Sequence, residues 1–409
     1  ISGSLVWLTF NRKRTQGVVI ARKANSSFQG QIRFLSELIK PFPVLAPEIL
    51  QLASEIKRYY GGNRWDVLRF ALPELSKKSG SFEKVGAIAT SNAIRDDTHR
   101  SDELSESLNQ EYPESFWQAL SQSPKSGRQV RAYWSAPPAH DPFRFLERLL
   151  RSQSGRVLLL LPDQSDVERM ADLIEKLGLI DSQDVTIWHS NLKRREREEH
   201  FLSVLHGDKR IVIGVRSAIL LPLSNPDLII LWDEGSDSFS EQRAPNFHAR
   251  EVAIMRSHID KTHLVIGGHS PSLMAADYIN RGYLTHLAPQ QVTIKNSMPT
   301  IRAITNRAAP EQSGRFPTIA WQVLRRGLEH GPVIVQSQLR GYIQALSCSR
   351  CLNIALCACG GKLVASGSGR FPECFLCGNV HHNWSCTFCS NRQLRNSQIG
   401  DERLVEELG

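Results

Sequence analysis

Two patterns of hydrophobic positions alternate along the middle of the chain. Short continuous apolar runs of strand length are separated by segments whose apolar residues recur at helical spacing. The predicted strands are Val157–Leu161, Val185–Trp188, Arg210–Val215, Leu228–Trp232 and His263–Ile266, with a further strand near Tyr133–Trp134. The predicted helices are Phe143–Leu150, Asp166–Leu177, Leu192–Leu205, His248–His258 and Ser272–Arg281. Apolar strands that alternate with amphipathic helices are typical of a doubly wound, mostly parallel sheet.

The N-terminal part of the chain follows a different pattern. Two β-rich runs, Leu5–Phe10 and Gln16–Ala21, flank the basic turn Asn11–Arg14 and predict a hairpin. Helical spacing over Ala46–Tyr60 ends at a Gly-Gly pair, which suits a helix C-terminus. Residues 1–73 are therefore predicted to form a small β-rich domain with at least one helix.

Two further stretches are less clearly marked. Residues 74–127 are mostly polar, with short apolar islands such as Val85–Ala89 and Phe116–Leu120, and this composition predicts either a linker or a small helical domain. A last strand is predicted at Val333–Gln336, just before a cysteine-rich stretch.

Composition indicates a globular chain of several domains rather than a membrane or disordered protein. Hydrophobic residues make up 41% and charged residues 22% of the 409 residues, and the apolar runs are too short to span a bilayer. The net charge of +9 is uneven, because residues 1–30 carry five Lys/Arg and no acid. We therefore interpret Arg12, Lys13 and Arg14 as contacts to a nucleic-acid backbone, with a solvated basic face as the alternative. The charged run Lys193–His200 is interpreted as an exposed helix face.

The strongest chemical signal is a set of eight cysteines that occupies about one tenth of the chain. Three pairs are Cys-x-x-Cys and one is Cys-x-Cys: Cys348/Cys351, Cys357/Cys359, Cys374/Cys377 and Cys386/Cys389. Such knuckles present two sulfurs to one ion, so eight sulfurs predict two structural zinc ions with no open coordination position. A disulfide-rich module is the alternative, which the lack of a visible signal peptide disfavours; an iron–sulfur cluster or a single zinc also stays open. His381 and His382 are interpreted as surface residues.

The sequence contains the acidic residues of a nucleotide-binding site but not its phosphate-binding loop. The strand Leu228–Trp232 ends in Asp233 and Glu234, where nucleotide-hydrolysing sheets hold Mg²⁺ and orient a water. The phosphate-binding loop G-x-x-x-x-G-K-[ST] is absent from the chain, and the segment Ser135–Pro142 at its expected place contains three prolines, which have no N–H to offer. ATP and Mg²⁺ binding are therefore doubtful.

Several of these stretches together resemble the PriA family, the primosomal replication-restart helicases. The resemblance rests on Tyr60–Pro73 at the end of the N-terminal domain, Ile213–Ala218 (G-T-R-S-A), Trp232–Gly235 (D-E-E-H), Phe247–Glu251 (Y-H-A-R-D), Gly267–Ser272 (G-S-A-T-P-S) and the cysteine-rich stretch. The chain departs from the family pattern in its missing phosphate loop, in Gly235 and Ser236, in Ser270, and in the short Cys357-Ala358-Cys359 knuckle. These departures resemble the actinobacterial branch, whose members have lost the helicase active site.

The resemblance implies a multidomain α/β architecture. Its parts would be a small β-rich N-terminal DNA-binding domain, a RecA-like doubly wound parallel-sheet helicase lobe and a cysteine-rich double zinc ribbon. The expected boundaries are 1–73 for the incomplete DNA-binding domain, 74–127 for a linker or small winged-helix-like domain, 128–290 for a degenerate helicase lobe 1, 291–340 for a connector, 341–395 for the zinc module and 396–409 for the start of a truncated second lobe. The implied zinc ligand sets are Cys348, Cys351, Cys386 and Cys389 for one ion and Cys357, Cys359, Cys374 and Cys377 for the other.

The expected function is that of a replication-restart primosome protein. It would bind branched or forked DNA and single-stranded DNA and help reload the replication machinery at stalled forks, without helicase activity. Expected partners are restart and helicase-loading proteins and single-stranded DNA-binding protein, in the cytoplasm with the nucleoid. Asp233 and Glu234 would be relics of the acidic motif without a catalytic role. The alternatives are an ATP-dependent 3′–5′ DNA helicase with a non-standard phosphate site and an unrelated zinc-ribbon nucleic-acid-binding protein.

Overall fold

The computed structural model describes residues 1–32, 35, 37–75, 112–138, 140–178, 180–303, 318–336, 343–365, 371–399 and 405. The chain divides into two compact units, Ile1–Thr300 and Ile301–Gly409. Most of the predicted segment 74–127, including the island Val85–Ala89, and most of the tail 396–409 lie outside the described residues. The finer division into six segments stays a prediction.

A three-stranded antiparallel sheet begins the first unit. Its strands are β1 (Ser4–Phe10), β2 (Lys13–Val18) and β3 (Glu37–Pro43), in the order β2-β1-β3. The hairpin turn is shorter than the sequence predicted, because Asn11 and Arg12 both adopt positive φ, 47° and 63°. Two residues of that conformation close a tight hairpin whose twist matches the strands. Lys13 and Arg14 therefore lie in β2, paired with Phe10 and Thr9, and not in the turn.

A seven-stranded, all-parallel sheet follows. Its order is β10-β4-β9-β8-β5-β7-β6. The strands are β4 (Arg131–Ser135), β5 (Val157–Leu160), β6 (Val185–Trp188), β7 (Ile211–Gly214), β8 (Leu228–Trp232), β9 (His263–Gly268) and β10 (Thr285–Leu287). The doubly wound parallel sheet is thereby confirmed; the edge strand β10 was not predicted.

Ten helices accompany the strands in the described part of the chain. They are α1 (Pro47–Tyr60), α2 (Arg64–Ala71), α3 (Glu114–Ser121), α4 (Pro142–Arg151), α5 (Gln164–Leu177), α6 (Arg194–His206), α7 (Ala249–Asp260), α8 (Leu273–Asn280), α9 (Gln291–Ser297) and α10 (Thr318–Leu328). Short 3₁₀ turns form at Ser182–Asp184, Arg216–Leu220 and Asp237–Phe239. None of the helices in this part of the chain combines the length and the apolar character that a membrane crossing needs.

Alternate residues of the central strands enter two different cores. In β5, Leu158 and Leu160 join a core that continues into the N-terminal β-rich domain, where it includes Leu5 and Ile56. Leu159, next to them in sequence, joins the opposite core beneath α3, α4 and α5. Successive side chains of a strand point to opposite faces, and a parallel sheet is stable when both faces are covered. The N-terminal domain thus covers part of one face of the sheet.

One buried ion pair joins the N-terminal domain to helix α6. Lys40 of β3 and Glu198 of α6 lie 3.4 Å apart (Nζ to Oε1), and their side chains are only 1% and 7% exposed. The interpretation of Lys193–His200 as wholly exposed is therefore wrong at Glu198. The surface pair expected from the i,i+4 spacing does form, with Arg195 Nε 2.8 Å from Glu199 Oε1.

The second unit contains helix α10 and two small antiparallel ribbons. Strand β11 (Ile343–Cys348) pairs with β14 (Leu394–Ile399), and β12 (Leu363–Val364) pairs with β13 (Glu373–Cys374). The strand predicted at Val333–Gln336 is wrong, because no described strand of this unit pairs with these residues.

The Lys40–Glu198 pair allows a test of how firmly the N-terminal domain is held. Lys40→Met leaves the Glu198 carboxylate buried without its cation, so we expect the free energy of unfolding to fall by about 3–5 kcal/mol in urea denaturation. The double variant Lys40→Met/Glu198→Leu should recover most of this loss. Arg195→Ala, which removes only the exposed pair, should cost about 0.5 kcal/mol or less. A loss below about 1 kcal/mol for Lys40→Met would contradict the structural importance of the buried pair.

Candidate metal centres and nucleic-acid interface

The eight cysteine sulfurs gather into two groups of four. One contains Cys348, Cys351, Cys386 and Cys389, the other Cys357, Cys359, Cys374 and Cys377, and within each group all sulfurs lie within 4.8 Å of one another. Closest Sγ–Sγ distances across the pairs are 3.4–3.8 Å. Four thiolates about 2.3 Å from one tetrahedral ion stand about 3.8 Å apart, so each group could hold a metal ion and its donor set suits zinc. All eight cysteines are free, which the disulfide alternative does not explain.

The same backbone turn follows every cysteine pair. The residue after the second cysteine has positive φ in all four cases: Leu352 (64°), Gly360 (85°), Gly378 (70°) and Ser390 (57°). In the three Cys-x-x-Cys pairs its N–H donates to the carbonyl of the first cysteine at 2.9–3.1 Å. In the short pair Gly360 donates to Cys357 at 2.9 Å. The Cys-x-Cys spacing is thus a turn tighter by one residue and still delivers both sulfurs to one group.

Asparagines support three of the four turns, and their repeated spacing is a sequence signal that the predictions above did not use. Each Cys-x-x-Cys pair is followed two residues later by an asparagine, Asn353, Asn379 or Asn391, whose carbonyl accepts the N–H of the first cysteine at 2.8–2.9 Å. Asn353 and Asn391 also direct their side-chain amides to the sulfurs of Cys351 and Cys348, both at 3.5 Å. Amide donors to thiolate sulfur orient the ligands and stabilise their charge.

Four sulfur donors per group leave a four-coordinate ion no position for a substrate or a water. The sulfurs form a small core with Trp384, Leu346 and Leu363. His381 and His382 lie outside both sulfur groups. The arrangement therefore suits structural ions and gives the module its interior.

The three cations of the N-terminal hairpin do not point the same way. Arg12 occupies the turn, and Lys13 and Arg14 are neighbours in β2, so their side chains lie on opposite faces of the hairpin. The Arg14 guanidinium lies 4.6 Å from the centre of the Trp7 ring and 3.0 Å from Glu37 Oε2. Arg12 and Lys13 are exposed, and the described residues place no carboxylate within ion-pair distance of either. The hairpin thus offers two uncommitted cations and one that is already partnered.

The acidic pair at the end of β8 has two different environments. Asp233 is exposed and adopts a φ of 53°, whereas Glu234 is fully buried. The Glu234 carboxylate accepts hydrogen bonds from Arg250 Nη1 at 2.6 Å, from the Ser272 N–H at 2.8 Å and from Ser272 Oγ at 2.9 Å. Both carboxylate oxygens of Glu234 therefore accept hydrogen bonds, and these bonds connect the end of β8 to Arg250 of α7 and to Ser272. Arg250 and Ser272 belong to two of the motifs that resemble the family pattern. The sequence does not show that they bind Glu234; only the fold brings the three residues together.

The segment Ser135–Pro142, where the sequence predicts that a phosphate loop is missing, makes other contacts at its described residues. The N–H of Ala136 donates to the Gly268 carbonyl at 3.0 Å, and that of His140 to the Pro137 carbonyl at 3.2 Å. The N-terminus of α4, where a phosphate would bind, carries the Asp141 carboxylate, which accepts from the Phe143 N–H and contacts Arg169 at 3.0 Å. A carboxylate there competes with any phosphate by charge repulsion.

His248 connects the N-terminal domain to α7. Its N–H donates to the Tyr60 hydroxyl at 3.2 Å, and its Nδ1 accepts the N–H of Arg250 at 3.2 Å as the cap of the helix. Burial, together with the Arg250 guanidinium, lowers the pKa of His248 to about 4. The cap thus requires an imidazole whose Nδ1 carries no proton.

The parallel sheet, the small β-rich N-terminal domain and the two four-cysteine groups, each of which could hold a metal ion, define a multidomain α/β protein with a cysteine-rich module. Residues 1–73 match the family model described as the 3′DNA-binding domain (3′BD) of PriA. The whole chain is 31% identical, over 421 residues, to the probable replication restart protein PriA of Mycobacterium tuberculosis H37Rv, and covers 62% of that protein. The chain belongs to the PriA family.

Other comparisons agree with this assignment. The replication restart protein PriA of Bacillus subtilis is 26% identical over 270 residues, which is 64% of this chain and 33% of that protein. The mycobacterial relatives align over the whole chain at 29–31% identity, and the replication restart protein PriA of Helicobacter pylori J99 aligns over the whole chain at 26%, so the expected resemblance to the actinobacterial branch agrees with the higher identity. The chain spans about three fifths of the length of these mycobacterial relatives. Among solved structures, the Hef helicase domain of Pyrococcus furiosus is similar over 46% of this chain and 40% of that chain at 13% identity, but its TM-score of 0.34 is too low to carry weight.

Metal content gives the first test of the two sulfur groups. We expect about two zinc ions per chain by elemental analysis of protein purified without chelator, because each group supplies a complete donor set. Cys348→Ser and Cys374→Ser should each reduce the content to about one, since they act on different groups. Iron with the absorption of an iron–sulfur cluster, or a loss of both ions with either variant, would contradict two independent zinc sites.

The low pKa of His248 predicts a pH dependence of stability. The unfolded chain binds a proton on this histidine near its ordinary pKa of 6.5, whereas the folded chain resists protonation down to about pH 4. Stability that is present above pH 6.5 is therefore lost as the pH falls from 6.5 towards 4. His248→Asn keeps a cap acceptor that does not titrate, so its melting temperature should fall less than that of the parent over this range. An equal fall of the melting temperature in the parent and in the variant would contradict the role of His248 protonation in the pH dependence.

Proposed function

We propose that this chain is part of a replication-restart primosome protein that binds branched or forked DNA and helps reload the replication machinery at stalled forks, without unwinding the DNA itself. The observation that carries the proposal is the match of residues 1–73 to the PriA 3′DNA-binding domain, combined with a hairpin end that exposes Arg12 and Lys13. Exposed cations on a DNA-binding domain neutralise phosphates, and the resulting affinity depends on salt.

The absence of unwinding is supported by the carboxyl end of the sheet. ATP hydrolysis needs donors that hold the phosphates, in addition to acidic residues that hold Mg²⁺ and orient a water. Asp233 stays exposed, so the support comes from the phosphate side of the site and from Glu234. Three prolines stand in the segment Ser135–Pro142. Asp141 occupies the helix N-terminus, and the Glu234 carboxylate is bound by Arg250 and Ser272. On this proposal the sheet serves as a rigid base for the DNA-binding domain.

The proposed protein partners are the proteins that load the replicative helicase and the protein that coats single-stranded DNA. These partners are proposed because a restart protein must bring the replication machinery to the fork. The two zinc ions would be structural. The proposed location is the cytoplasm, in association with the nucleoid.

Fork binding tests the role of the hairpin. Substitutions of its three cations should differ in their effect on DNA affinity and on the salt dependence of that affinity. We expect Arg12→Gln/Lys13→Gln to weaken binding to a forked DNA and to reduce the slope of log K against log salt by about two, because two phosphate contacts are lost. Arg14→Gln should change the slope by less than one, because Glu37 already pairs with this side chain.

Arg195→Gln is the matched control, since this arginine is 91% exposed and lies outside the DNA-binding domain. Its affinity and slope should equal those of the parent. If the Arg12/Lys13 variant binds forks with the parent's affinity and slope, the hairpin end is not a DNA contact.

A further inference from the structure

The two sulfur groups differ in how far their cysteines are exposed to solvent. The first group and the second group are, in that order, Cys348, Cys351, Cys386 and Cys389, and Cys357, Cys359, Cys374 and Cys377. Every cysteine of the first group is buried or half-buried, whereas Cys359 and Cys377 of the second group are exposed. Small oxidants in water therefore reach two sulfurs of the second group directly, while the first group exposes no cysteine to this extent.

Side-chain hydrogen-bond donors add to this difference. Asn353 and Asn391 direct their amides to sulfurs of the first group, at 3.5 Å in both cases. Asn379 has the same place after the Cys374/Cys377 pair, but among the described residues no side-chain amide is hydrogen-bonded to a sulfur of the second group. A donor stabilises the charge of a thiolate and makes it a weaker nucleophile. In the described part of the chain, this side-chain protection belongs to the first group alone.

The two exposed sulfurs are also close to each other. Cys359 Sγ and Cys377 Sγ lie 3.5 Å apart, and a disulfide joins its sulfurs at about 2.0 Å, so a small movement brings the pair to bonding distance. Each of these cysteines is followed by a glycine, Gly360 or Gly378, whereas Leu352 and Ser390 occupy the same positions in the first group. Glycine has the widest backbone freedom, so the movement is easiest at the second group.

We propose that Cys359 and Cys377 are an oxidation site, which a peroxide converts into a disulfide while the first group stays reduced. One of the two thiolates attacks the O–O bond of the peroxide, which forms an S–O bond and releases hydroxide. The other thiolate then attacks that sulfur, so that the S–S bond forms and the S–O bond breaks to release a second hydroxide. The two sulfurs together lose two electrons, and the peroxide gains them.

The disulfide would open one half of the metal module and leave the other half folded. After oxidation the second group keeps only Cys357 and Cys374 as donors, where a structural zinc ion needs four. The ribbon of β12 and β13 pairs at two positions only, and such a ribbon does not hold itself together in water. Strands β11 and β14 pair at five positions and lead into Cys348 of the first group, whose donors are unchanged. This inference does not depend on how the protein contacts DNA.

Zinc release from the whole chain loaded with zinc tests the proposal. Hydrogen peroxide is added in the presence of a chromogenic chelator, and the disulfides of the product are mapped by mass spectrometry. We expect release of about one of the two zinc ions per chain and a disulfide between Cys359 and Cys377, because only the second group loses donors. Backbone amides of Leu363 and Val364 should exchange with solvent faster after oxidation, and those of β11 should not. Dithiothreitol with added zinc should restore the second ion.

Matched histidine variants show which group responds. Cys377→His replaces an exposed thiolate by an imidazole, which also binds zinc but forms no disulfide. This variant should keep both zinc ions under the peroxide treatment that releases one ion from the parent. Cys389→His is the control, because it changes the corresponding cysteine of the first group, and it should still release one ion and form the Cys359–Cys377 disulfide.

The parent protein alone decides the question, even where a histidine variant fails to fold. Release of both zinc ions at the same rate, or a disulfide within the first group, would overturn the proposal. So would zinc release without the Cys359–Cys377 disulfide, because the sulfurs would then have been oxidised by another route. If Cys377→His folds with two zinc ions and still loses one as fast as the parent, this pair is not the oxidation site.

Discussion

The need to cover both faces of one parallel sheet organises the whole first unit. Strands such as Leu228–Trp232 are buried on both sides, so neither face can remain in water. Helices cover one face, and the N-terminal β-rich domain completes the cover of the other, with Leu5 and Ile56 in the same core as Leu158 of the sheet. The domain that matches a DNA-binding family model is therefore part of a continuous core and not a loosely tethered module. A contact made by the hairpin is therefore made by a domain that packs directly against the sheet.

At the carboxyl end of that sheet, polar side chains hold the loops by hydrogen bonds to one another. Glu234 remains at the end of β8, but it accepts three hydrogen bonds from Arg250 and Ser272, and this joins the loops after β8 and β9. Removal of a partner from a buried carboxylate leaves an uncompensated charge and therefore costs free energy. Asp141 similarly satisfies the first turn of α4. Glu234 and Asp141 therefore have structural partners within the protein, whereas Asp233 stays exposed.

The sheet could be predicted well from the sequence, because short continuous apolar runs such as Leu228–Trp232 have the length of buried strands and alternate with helical patterns. The prediction missed β10, whose three residues are too few to show a period. It read Glu198 as exposed, because a charged helix face gives no sign of the one carboxylate that meets Lys40 from a distant strand. It placed Lys13 and Arg14 in the hairpin turn, since the positive φ of Asn11 and Arg12 is a property of the folded backbone. The nested grouping of the eight sulfurs agrees with the expected one, while the asparagines that support the turns, although visible as a repeated spacing, were recognised only from their hydrogen bonds.

The central claim is that the protein binds forks without using ATP, and hydrolysis by the full-length protein tests it most directly. ATP hydrolysis would be measured with and without saturating forked DNA, in samples whose fork binding is confirmed by titration. The account predicts saturable fork binding and no release of phosphate above the background without protein. Hydrolysis that rises when forked DNA is added, and is lost in Asp233→Asn, would contradict the account, because phosphates would then be bound by groups other than those at Ser135–Pro142.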